Sequence, residues 1–175
     1  MSEEFDYYCS LLNLGYTEAV DLLLNKYGAS QDDYYREKSY LRFFNGEIKN
    51  ITKGKATRTK EGLYCHHIFE NQYAMLTDSD ALLEQQVPFS AQKKENLVYC
   101  DLIEHLILHA LIAKETERHF GYAGYVVHLD PMVGDWYINK NVPELEWEKN
   151  CYSKAFLTSN EAEELLNRVD KFVGD

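Results

Sequence analysis

The chain has 175 residues, 45% apolar, 14% aromatic and 27% charged, with nine glycines and three prolines. This composition suits one ordinary domain with a substantial core and excludes collagen-like, low-complexity and wholly disordered chains. Eighteen lysines and arginines against 29 acids set the net charge at −11, which opposes non-specific attraction to nucleic acid or anionic lipid.

Residues 1–48 read as an acidic helical cap. Phe5, Tyr8, Leu11 and Leu12 keep helical spacing, Thr17 is placed to cap a second segment carrying Val20, Leu23 and Leu24, and Gly28 to end it. A third helix is expected from Ser30 toward Phe44, with Asp32 and Asp33 at the positive end of its dipole and Asn45-Gly46 stopping it. Lys49, Lys53, Lys55, Arg58 and Lys60 follow with no acid among them, interleaved with Thr52, Thr57 and Thr59, the pattern of an exposed strand or hairpin.

Residues 63–69 have the apolar and aromatic character of a buried strand, and a long polar stretch, 70–95, includes a short helix around 78–86. Leu102, Ile103, Leu106, Ile107, Ala110 and Leu111 recur at helical spacing and define the strongest helix of the sequence. Beyond His119, segments 122–129 and 135–138 are expected as strands, separated by turns at Pro131 and Gly134. A last helix begins at Thr158, whose spacing to Glu161 fits a capping box, and carries Ala162, Leu165, Leu166, Val169 and Phe172 on one face. The expected fold is α+β, one compact unit of three parts: the cap 1–48, a core 49–118, and an α/β addition 119–175 with strands plus a helix.

Four of the six histidines fall in two clusters, His66-His67 on the apolar strand and His105 with His109 on the strong helix. Residues four apart on a helix share a face, so two imidazoles there can reach one cation. The strand supplies a third ligand: neighbouring side chains point to opposite faces, so one of His66 and His67 binds metal and the other stays free. Cys9, Cys65, Cys100 and Cys151 form no Cys-x-x-Cys and read as reduced thiols, although a rival site of Cys65, Cys100 and one or two histidines is compatible with the spacing. His119 and His128 read as structural.

Asn96 lies nine residues before His105 and thirteen before His109. With the His66-His67 pair, this run over about residues 60–113 resembles the HNH nucleases, with the spacing of their colicin-type members. The resemblance implies a ββα-metal core, zinc held by His66, His105 and His109, His67 as general base and Asn96 as the residue that positions it. It also implies an open fourth metal position, with Mg2+ or Mn2+ in place of zinc in a catalytic centre. The paired cysteines that brace many HNH proteins with a second zinc are absent.

Two functions follow. The motif points to a metal-dependent endonuclease that hydrolyses DNA phosphodiesters, whereas a nuclease must hold a polyanion and this chain offers one basic run between acidic flanks. By size and acidity the chain also resembles phage-encoded anti-CRISPR inhibitors. The expectation placed first is therefore an acidic, zinc-binding inhibitor of a nucleic-acid-handling enzyme, with a basic nucleic-acid-binding protein such as a CRISPR effector nuclease as partner, blocked from loading DNA. DNA itself is the partner in the endonuclease reading. A third possibility is a toxin, antitoxin or adaptor that keeps zinc only to hold strand against helix. No charged leader followed by an apolar run opens the sequence, and no apolar run is long enough to span a bilayer. A soluble protein is expected, in the cytoplasm of a bacterial host if phage-encoded.

Overall fold

The computed structural model describes residues 1–174 and shows a mixed helical and β architecture around one two-stranded antiparallel sheet. Helix α1 (Glu3–Leu11) begins where the Ser2 hydroxyl accepts the Phe5 N–H, and it buries Phe5, Tyr8 and Leu11. Helix α2 (Tyr16–Tyr27) starts two residues earlier than Thr17 would set it: Gly15 is the N-cap, its N–H bonded to Glu18 at 2.7 Å, and Thr17 is exposed within the first turn. Gly28, at φ 80°, ends it, a conformation that costs glycine no Cβ clash.

The third helix, α3 (Glu37–Phe44), is shorter than its expected span from Ser30. Asp32 and Asp33 cap no helix. Asp32 accepts the backbone N–H of Lys55 at 2.7 Å and Asp33 that of Lys94 at 2.8 Å, so both carboxylates pin distant loops. The basic run 49–60 is correspondingly a loop that ends in the 3-10 turn Thr59–Glu61 and not a strand or hairpin, joined to its surroundings by isolated pairings of Tyr35 with Lys53 and Arg58 with Leu63.

Strand β1 (Tyr64–His67) pairs antiparallel with β2 (Leu97–Cys100), and His66 stands opposite Val98, His67 opposite Leu97. Between them lie short 3-10 turns and α4 (Ser79–Glu84), whose N-cap Asp78 accepts the Ala81 N–H. This excursion covers a small second core of Tyr35, Tyr40, Leu76, Leu82, Val87 and Ala91. Strand β2 is buried along its whole length and runs directly into α5 (Leu102–Glu115). A reciprocal cap sets that junction: the Asp101 carboxylate accepts the Glu104 N–H and the Glu104 carboxylate accepts the Asp101 N–H, both at 2.8 Å. Helix α5 is buried on almost every face and is the axis of the main core, which draws residues from Phe5 to Val173.

The C-terminal addition has no strands among its described residues. Residues 122–138 form a run of helical segments, with π-helical stretches at Tyr125–Leu129 and Gly134–Ile138 marked by the bonds from Asp130 N–H to the Tyr125 carbonyl and from Asn139 N–H to the Gly134 carbonyl. Tyr125, Leu129, Val133, Trp136 and Tyr137 are buried in the main core at helical spacing, while Val126 and Val127 face outward. The core contact thus overrides the β-propensity of the Tyr-Val-Val run. Pro131 stands in the first turn of Asp130–Val133, where its missing N–H costs least, and Gly134 continues the helix instead of turning it. A further helix, Glu146–Lys154, completes this all-helical region. No helix among the described residues is long and apolar enough to cross a membrane.

The last helix, Ser159–Gly174, opens on the expected box: Glu161 accepts the Thr158 hydroxyl at 2.7 Å and its N–H at 3.1 Å. Val173 takes the buried position and Phe172 is half-buried. Glu161 also accepts the Ser2 N–H at 2.6 Å, joining the two ends of the chain. These bonds, from the Thr158 side chain first and the Ser2 backbone next, hold its carboxyl at about 2, below the usual 4.5. A depressed acid contributes stability that is complete above its ordinary pKa and lost as pH falls through the depressed one. Glu161→Gln is therefore expected to cost about 1 kcal/mol at pH 7, roughly 2–4 °C in Tm. In thermal scans its difference from wild type should close as pH drops from 4.5 toward 2; a gap independent of pH would refute the ionic part of the cap.

Candidate metal centre

The β–β–α order brings both histidine clusters together. Helix α5 packs over β1, and one donor atom each of His66, His105 and His109 lies within 4.8 Å of the others. The three rings face one another edge-on: centroids are 5.3 Å apart for His66 with His105, 5.3 Å for His66 with His109 and 5.0 Å for His105 with His109, at interplanar angles of 67–73°. The strand's alternation selects His66 and not His67, and the α-helical turn aligns His105 with His109.

Hydrogen bonds outside the cluster decide which nitrogens carry lone pairs into it. His109 Nδ1 donates to the Gly121 carbonyl at 3.1 Å, which leaves Nε2 as the free donor atom. That contact needs a close approach of backbone to ring: Gly121 sits at φ 73°, and a Cβ on Gly124 would lie 2.5 Å from His109 Cε1. The Tyr16 hydroxyl has one proton and gives it to the Ile68 carbonyl at 2.8 Å. His66 Nε2, 2.9 Å from the same oxygen, must then be the donor, and His66 Nδ1 is left with a lone pair. Both His66 Nδ1 and His105 Nδ1 are buried without a hydrogen-bond partner.

An unsatisfied buried polar atom costs about 1–3 kcal/mol, and a cation shared among such atoms removes the cost. Burial pushes the His66 pKa down to about 3 and that of His105 well below its usual value, so both rings are neutral, as metal ligation requires. At His109 burial acts in the same direction, but the Glu70 carboxylate outweighs it and raises the pKa. Three imidazoles beside a carboxylate fit zinc, whereas magnesium prefers oxygen donors throughout.

Glu70 is the residue that sequence reasoning missed, placed at the head of a polar stretch. It lies in the 3-10 turn Ile68–Asn71 that follows β1, and the turn carries its carboxylate back over the strand end. Oε2 is 2.9 Å from His109 Nε2, while Oε1 is 3.6 Å from His66 Nδ1 and 3.7 Å from His67 Nδ1. Burial alone would raise its pKa; the imidazoles of His66 and His109 beside it, with the hydrogen bond from His109, hold it well below the carboxylate range instead. The spacing His-His-x-x-Glu was the available signal, since three residues make one 3-10 turn.

His67 is 0% exposed. Its Nε2 lies 3.0 Å from Gln92 Oε1, and because the Gln92 amide donates to the Leu76 carbonyl, His67 is the donor in that bond. The Tyr34 ring packs on it with centroids 4.5 Å apart. The recorded partner of the His67 ring is thus Gln92; Asn96 is in the 3-10 turn before β2, its amide donating to the Ser90 carbonyl at 2.8 Å. Cys65 and Cys100 lie on the strands but outside the three-histidine group. Burial pushes the Cys65 thiol up to about 12 and the Cys100 thiol well above its usual value. His119 bonds the Thr116 carbonyl and His128 is exposed. No protein-family model, curated protein or solved structure matches the chain closely enough to identify it.

Proposed function

We propose that the chain is a zinc-binding protein with a ββα-metal, HNH-like core that acts as an acidic inhibitor of a nucleic-acid-handling enzyme, such as a CRISPR effector nuclease kept from loading its DNA. The observation that carries this reading is the enclosure of His67. A general base must reach the water it activates, whereas this imidazole is fully buried, bonded to Gln92 and covered by Tyr34. Zinc held by His66, His105 and His109 would tie β1 to α5 and add folding free energy. The acidic surface, at a net charge of −11, complements the basic cleft of a nucleic-acid enzyme and steers the encounter with it.

The alternative is a metal-dependent DNA endonuclease. It is favoured by the position of His67 beside the cluster, linked to it through Glu70. In that reading His67 and Asn96 are the catalytic pair, and Mg2+ or Mn2+ serves in place of zinc. The expected result is that purified protein leaves plasmid DNA intact with magnesium, manganese or zinc, and co-elutes with a basic effector nuclease in a complex that salt dissociates. Nicking that His67→Ala abolishes in a folded protein would replace the inhibitor with the enzyme.

A further inference from the structure

We propose that Glu70 is the fourth protein ligand of the zinc centre and closes it to water and small anions. The inference rests on the metal reading above and adds a coordination number to it. The Glu70 carboxylate is aimed at the cluster: its Oε2 lies 2.9 Å from His109 Nε2, the ring nitrogen left over once Nδ1 has bonded the Gly121 carbonyl. A proton on Nε2 satisfies this contact in the metal-free site, and a metal ion that takes the nitrogen's lone pair would leave the carboxylate facing the same ion. One carboxylate oxygen, Oε2, lies 2.9 Å from His109 Nε2 and the other, Oε1, lies 3.6 Å from His66 Nδ1. These values straddle the roughly 3.3 Å that separates two donor atoms of a tetrahedral zinc with bonds of about 2.0–2.1 Å.

Glu70 is also pre-positioned. The His67 N–H donates to its Oε1 at 3.4 Å, within a 3-10 turn that starts at the strand end, and its side chain is only 17% exposed. Three histidines and a carboxylate exhaust the four positions that a structural zinc uses, whereas a catalytic zinc keeps one for water. A closed centre is what a protein that works through its surface requires.

The full-length protein loaded with cobalt(II) tests the assignment. Metal stoichiometry in the wild type and in His109→Ala decides the metal reading itself: about one ion per chain in the first and none in the second. Azide then decides the role of Glu70. Wild-type protein should show the strong visible bands of a tetrahedral cobalt site, unchanged by azide. In Glu70→Ala, zinc affinity measured by chelator competition should fall at least 10–100-fold, and azide should shift the bands by entering the vacated position. An azide response in the wild type, or a Glu70→Ala centre with unaltered affinity and spectrum, overturns the proposal while leaving the three-histidine site standing. Should Glu70→Ala fail to fold, the azide titration of wild type is decisive alone. A wild-type protein that binds no metal removes both.

Discussion

His105→Ala and His109→Ala are each expected to empty the protein of zinc and to destabilise it strongly, whereas His67→Ala keeps the metal. A ligand that binds only the folded state at 1,000 times its Kd contributes about 4 kcal/mol, which corresponds to roughly 8–16 °C in Tm for a chain of this size. Chelation of wild-type protein should produce the same shift. His67→Ala removes the donor to Gln92 Oε1 and the packing under Tyr34, but none of the three rings that converge on one point; a loss of about 1–3 kcal/mol with zinc intact is expected. Metal analysis beside thermal unfolding reads both quantities, and equal zinc loss in all three variants would refute the division of roles.

Gly124→Ala is a subtler form of the same test. Its methyl would fall 2.5 Å from His109 Cε1, so it should weaken zinc binding with every ligand present. Acid should act in step. His66 titrates at about 3 in the folded protein against an ordinary 6.5, so the unfolded chain binds more protons between those values. Stability therefore falls as pH drops below about 6.5, and zinc release should accompany it.

The second large effect is expected far from any ligand, at Glu104. This carboxylate is fully buried and serves four donors: the Tyr7 hydroxyl at 2.8 Å, the Lys26 ammonium at 2.6 Å, the Tyr27 hydroxyl at 3.3 Å and the Asp101 N–H at 2.8 Å. Asp101, beside it, accepts the Tyr8 hydroxyl at 2.8 Å, and burial followed by the charge of Glu104 raises its pKa. The cluster clamps α1 and α2 onto the first turn of α5, and α2 in turn carries the Tyr16 hydroxyl that orients His66.

Glu104→Ala takes the acceptor from the Tyr7, Tyr27 and Asp101 donors, while Lys26, 39% exposed, turns to solvent. Removing the shared acceptor of several partly buried donors costs about 3–5 kcal/mol, or roughly 6–20 °C in Tm. Urea unfolding measures it directly, and a loss below 1 kcal/mol would show that the clamp is incidental. Zinc should still bind, because no ligand is touched.

The parts of the site legible from residue order are those governed by local geometry. His105 and His109 share a face because an α-helix repeats every 3.6 residues, and only one of His66 and His67 joins them because a strand alternates. The capping box at Thr158 and the stop at Gly28 are local in the same sense, each closed within one turn. The α+β character and the antiparallel pairing that carries the motif follow from such short-range rules.

What lay beyond that reach depended on partners distant along the chain. Asp32 and Asp33 look like helix-capping residues until Lys55 and Lys94 present their backbone N–H groups. Residues 122–138 carry strand formers, yet the apolar face of α5 rewards the spacing of Tyr125, Leu129 and Val133 and makes them helical. Gln92 and Glu70 reach the histidines through an excursion whose path no periodicity encodes. Backbone pattern is a property of neighbours in sequence, so it can be read from the chain; the pairing of buried polar groups is a property of neighbours in space, and it exists only once the core has closed around them.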